Sequence, residues 1–109
     1  MRKAVIITVL AALVLLFAGC DVDPDATYKV IYHGNGQTYG FAPNDPNQYT
    51  SGMVAVILDK GTLIKEGAMF VNWNTDLHGS GDSYEAGGTI TINDRDVFLY
   101  AIWIETDSE

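Results

Sequence analysis

Few side chains in this chain are able to do covalent chemistry: two histidines, one cysteine, and serines gathered beside one of the histidines. His78 lies among Asp76, Ser80, Asp82 and Ser83, while His33 precedes Gly34. A hydrolase needs a nucleophile, a base and an acid that orients the base. Those residue types are present, but no serine sits in the strained strand-to-helix turn that presents a nucleophile. A polar turn is the preferred reading, and a small hydrolase is kept as a remote alternative.

Metal and phosphate chemistry fare no better. Asn72, Asn74 and Asp76 alternate in the manner of calcium-loop ligands, but the sixth position is Leu77 instead of glycine. The twelfth is Ser83 instead of glutamate. A looser calcium site from Asp76, Asp82 and Glu85 is a weak candidate beside the reading of hydrogen-bonding turn residues. Gly79-Ser80-Gly81 lacks the lysine and helix of a phosphate loop and marks a turn. No catalytic residue, metal, cofactor or small-molecule substrate is expected. Fourteen acidic against six basic residues, a formal charge of −8 in 109 residues, argue against nucleic acid as partner. One cysteine excludes an intrachain disulfide, and with two histidines it leaves too few ligands for a zinc cage.

That cysteine has a telling position. Met1-Arg2-Lys3 is followed by an uncharged apolar run of 14 residues, Ala4 to Phe17. A spanning helix needs about 20, so the run reads as a secretory signal peptide. Leu16-Phe17-Ala18-Gly19-Cys20 resembles the lipobox of bacterial lipoproteins, with Phe17 where Leu, Val or Ile is usual. The resemblance implies cleavage after residue 19 and a diacylglycerol on the Cys20 thiol. It places the protein in the bacterial cell envelope, lipid-anchored and facing periplasm or exterior. The competing readings are a buried thiol, or residues 4–17 retained as an anchor helix. Without residues 1–19 the remaining 90 residues carry four basic and 14 acidic side chains, a charge of −10. Anionic headgroups repel such a surface, so attachment falls to the lipid.

The elements that must position everything else have a period of two. Residues 20–27 read as the lipidated cysteine and an acidic tether, 28–104 as the domain, and 105–109 as a frayed acidic tail. Tyr28, Val30 and Tyr32 mark a strand ending at Gly34-Asn35-Gly36. Gln37 to Ser51, with Pro43 and Pro46, reads as a long loop. Met53 to Leu58, apolar on both alternations, predicts a strand covered on two faces. Thr62 to Glu66 has room for one helical turn. Ala68 to Trp73 and Thr89 to Asn93 predict further strands, with a turn-rich loop from Asn74 to Asp82. Val97 to Ile104, wholly apolar or aromatic, predicts the central strand. The fold class is mainly β, or α+β with very little helix. The expected core comprises Val30, Tyr32, Val56, Phe70, Trp73, Leu99, Tyr100 and Trp103. Aromatics outside the alternation anchor interfaces or fold back as lids. Tyr39 and Phe41 favour the interface; Tyr49 is a candidate interface residue for which the lid is slightly preferred.

The order of these elements resembles the Listeria–Bacteroides repeat, or internalin B-repeat. The resemblance runs from Tyr28, Val30, Tyr32 and Gly34-Asn35-Gly36 through Tyr49, Gly52, Val54, Val56 and Gly61-Thr62-Leu63. It continues with Gly67, Phe70, Trp73, Asn74, Gly79, Gly81 and Tyr84, then Gly87, Ile90, Ile92, Asp96 and Leu99-Tyr100-Ala101-Ile102-Trp103. Ala68, Asn72 and Gln37 depart from the pattern. The resemblance implies a small β-grasp-like (ubiquitin-like) sheet domain of exported bacterial proteins. The functional expectation is a noncatalytic envelope module for protein interaction, adhesion or spacing. The alternative is an accessory, assembly or inhibitor subunit of one envelope complex. Besides the membrane, the partner is an unknown protein or surface component, and the acidic surface favours a basic one.

Overall fold

The computed structural model describes residues 25–106. The signal peptide, Cys20 and most of the tether lie outside the described residues. Six strands are present: β1 (Val30–His33), β2 (Val54–Val56), β3 (Ala68–Asn74), β4 (Ser83–Tyr84), β5 (Thr89–Thr91) and β6 (Val97–Glu105). Among the described residues there is no helix, so the fold is mainly β. Four strands form a mixed sheet in the order β1-β6-β3-β4, with β1 parallel and β3 antiparallel to β6. The antiparallel pair β2–β5 makes a second, smaller sheet.

The apolar run of β6 is divided between two faces by the strand pleat. Leu99 and Ala101 are buried with Val30, Tyr32 and Trp73, facing Ala55, Ile57, Leu63 and Ile92 from the second sheet and its loops. Phe70 and Trp103 are half-buried against this core. Rings make up much of it, with Tyr32 edge-on to Trp73 at 4.7 Å and Phe70 edge-on to Trp73 at 5.1 Å. The buried indole N–H of Trp73 donates to the carbonyl of Leu58 at 2.8 Å, which spares it the cost of desolvation without a partner.

Several expectations need correction. Val56 is 57% exposed, because β2 is a three-residue strand whose pleat turns only Ala55 inward. The stretch from Met53 to Leu58 is therefore covered on one face. Tyr100 belongs to the opposite side of β6 from Leu99 and Ala101, where its ring stacks on His33 at 5.0 Å. Thr62 to Glu66 forms no helical turn: Leu63 is buried and Ile64 bridges to Tyr39. The strand β4 was not anticipated, since two residues are too few to show a period. At the other end β6 runs through Glu105, opposite Ala68, and the Thr106 N–H donates to Gly67 O. Glu105 and Thr106 are thus tied to the sheet and are not frayed.

Candidate functional site

The long segment after β1 divides into an outward part and an inward part. In the outward part, Tyr39 exchanges two backbone hydrogen bonds with Ile64, at 2.9 and 3.0 Å. The Thr38 hydroxyl accepts the Glu66 N–H, and the Thr62 hydroxyl accepts the Phe41 N–H. Gly40 makes this close approach possible. Its φ is 86°, and a Cβ there would collide with the carbonyl oxygen of Thr62. The result is a pinned two-segment ribbon. On it Phe41 is 82% exposed, Tyr39 58% and the neighbouring Ile64 51%.

The inward part belongs to Tyr49. It is buried, its backbone pairs with Tyr28, and its hydroxyl donates to Asp45 Oδ2 at 2.7 Å. Burial, then the bond to Asp45, pushes the Tyr49 phenol above its ordinary pKa. Asp45 is itself buried and also accepts the Asn47 N–H. Tyr49 therefore leaves the set of candidate interface residues, because no partner can reach its ring. Tyr39 and Phe41 point elsewhere, held by strand-like pairing that no period in the sequence announced. Ile64 was missed for the same reason.

The loop between β3 and β4 is organised by hydrogen bonds to its own side chains. Asp76 Oδ2 accepts the N–H groups of His78 and Ser80 and the Ser80 hydroxyl. These bonds, the backbone ones first, hold the Asp76 carboxyl below the usual carboxylate range. Glu85 is turned away to accept from Asn72 at 3.2 Å. Asp76, Asp82 and Glu85 are not brought together, and among the described residues no three acidic, histidine or cysteine side chains are placed to hold an ion. Ser80 reaches Asp76 directly with no imidazole between them. His33 is stacked between Tyr100 and Phe98 on the sheet face. No serine–histidine–aspartate relay is assembled among the described residues.

Asn35 ties this loop to the sheet. Its φ is 55°, and its amide donates to Leu77 O at 2.8 Å and Ala101 O at 2.9 Å. The loop thus rests against the end of β1 and the middle of β6. Among the described residues no helix is long and apolar enough to cross a membrane.

Comparison with known proteins bears on the domain that builds these surfaces. A Gly-rich membrane protein, so named, of Evansella cellulosilytica is 41% identical over 76 residues, covering 70% of this chain and 9% of the relative. A second protein of that organism, named as a membrane protein, is 34% identical over 83 residues, covering 75% of this chain and 12% of the relative. The chain therefore spans only about a tenth of the length of these relatives. No solved structure matches it. Residues 28–102, from the Tyr28 bridge to Ile102 within β6, match the Listeria-Bacteroides repeat domain, and the chain belongs to that family.

Proposed function

We propose that the chain is a noncatalytic, membrane-anchored protein of the bacterial cell envelope, attached by lipid at Cys20. Its repeat domain meets a protein partner through the Tyr39–Phe41 ribbon. The observation that carries this reading is the ribbon itself. Two aromatic rings and Ile64 stand in solvent on backbone that is already hydrogen-bonded in place. Rigid exposed aromatics bind at low entropic cost, which is why they dominate interface energetics. Membrane association is supported by the names of the two relatives and by the cysteine at the end of the apolar run. The acidic charge favours a basic partner and an association that salt slows.

The test is to replace Tyr39 and Phe41 with serine together, then measure melting and crosslinking in intact cells. Lost crosslinking with an unchanged melting curve supports the ribbon as interface. Crosslinking that survives removes it. One stoichiometric partner in the wild type would favour the accessory-subunit alternative over a module with many weak contacts.

A further inference from the structure

A groove of about 480 Å³ opens beside the first residues of β6, lined among others by Thr75, Asp82, Tyr84, Thr91, Arg95 and Phe98. One margin of it is a strand edge. β3 parts from β6 after the Asn74–Tyr100 pair, so Val97 to Leu99 have no ladder partner on that side. The Val97 N–H donates to Lys29 O, toward β1. Backbone groups alternate between the two edges of a strand, so Phe98 directs its N–H and C=O toward the vacated edge.

Two of the three charged side chains that line the groove are uncommitted. Asp82 takes part in the loop through its backbone alone: its carbonyl accepts the Thr75 N–H and its N–H donates to the Thr75 hydroxyl. Among the described residues, neither the Asp82 carboxylate nor the Arg95 guanidinium has a hydrogen bond or ion pair. Asp96 has one oxygen on the Lys29 N–H and lines the groove as well.

We propose that this groove binds an extended peptide segment carrying a basic side chain, added as a short strand beside Phe98. Strand-edge backbone groups select an extended chain, because only that conformation presents matching donors and acceptors. Two carboxylates against one guanidinium select a cation, which Asp82 and Asp96 flank. Arg95 offers its donors to a carbonyl of the same segment. The hydroxyls and the half-exposed Phe98 ring would also suit a saccharide. A sugar's hydroxyls can bond a strand edge but do not match its regular alternation of donor and acceptor as an extended backbone does, and this favours the peptide. The inference is independent of the Tyr39–Phe41 ribbon.

The test pans the full chain against a displayed library of short peptides randomised around a fixed Lys, and maps a selected peptide by amide chemical shifts. The expected shifts centre on Thr91, Arg95 and Phe98. Replacing the peptide's Lys with Glu weakens binding by about tenfold or more, as loss of a charge-assisted bond does. Asp82→Asn weakens the Lys peptide several-fold with an unchanged melting curve. Peptides N-methylated on one set of alternate residues lose binding, while those methylated on the other set retain it. The proposal is overturned by shifts centred on Tyr39 and Phe41, by equal binding of both methylated series, or by no enrichment from the library. An oligosaccharide panel that moves the groove amides where peptides do not makes it a sugar site instead.

Discussion

The hydroxyl of Tyr49 shows how one polar group decides whether an aromatic is ligand or core. Exposed, Tyr49 would be an anchor of the kind proposed for Phe41; bonded to the buried carboxylate of Asp45, it seals the loop against the sheet. Replacing Tyr49 with Phe keeps the ring and leaves Asp45 with fewer donors, an expected cost of about 1–3 kcal/mol in urea unfolding. Tyr49 and Tyr32 also predict an alkaline limit. Burial is the first cause that raises both phenols in the fold, and in Tyr49 the bond to Asp45 adds to it. The unfolded chain ionises near the ordinary value of 10.0 while the folded phenols stay protonated. Stability is full below that pH and falls as pH rises through it. The measurement is melting temperature against pH from neutral into the alkaline range. Tyr49→Phe should flatten the decline, and an unaltered decline removes Tyr49 as a cause.

Among the elements, β1, β3 and β6 supply one side of the core, and β2 adds only Ala55 from the other. Trp73 in β3 is fully buried, stacked edge-on against Tyr32 and Phe70, with its indole N–H satisfied. Trp73→Ala should cost about 3–5 kcal/mol, comparable to the whole stability of a small domain, and give an unfolded or barely folded chain. Trp103 is half-buried and donates to Gly34 O at 2.9 Å, so Trp103→Ala should cost less than Trp73→Ala. Val56→Ala, at an exposed position of β2, should stay within about 0.5 kcal/mol. Urea curves of the three variants check the ranking. A Val56 variant as unstable as the Trp73 variant would show that a partner or second layer covers β2.

At the scale of the whole molecule, charge and attachment act together. The domain is too acidic to adhere to anionic lipid by its own surface, so retention on the membrane falls to the Cys20 lipid under the proposed reading. Cys20→Ser should release the protein to the soluble fraction after a high-salt wash, with the domain's melting curve unaltered. Continued fractionation with membranes would favour residues 4–17 as a retained apolar anchor. The repeat-domain match covers residues 28–102 of this chain, and the stretch aligned with each relative is about a tenth of that relative's length.

Strand content, the central place of β6 and the repeat family were legible in the sequence because each follows from local pattern. Alternation along Tyr28 to Tyr32, an unbroken apolar run from Val97 to Ile104, and aromatic spacing around Trp73 and Trp103 are properties of neighbours in the chain. The tertiary structure decided what depends on distant partners. Val56 and Ala55 read alike in an apolar run, yet pairing with β5 alone turns one out and the other in. Tyr39 and Tyr49 lie in one loop with no period to assign them a face, yet Ile64 holds the first outward and Asp45 holds the second inward. The groove beside Phe98 exists because β3 turns away at Thr75, and no local periodicity records where a neighbouring strand departs. Periodicity states which residues share a face; only the completed sheet states which face is covered.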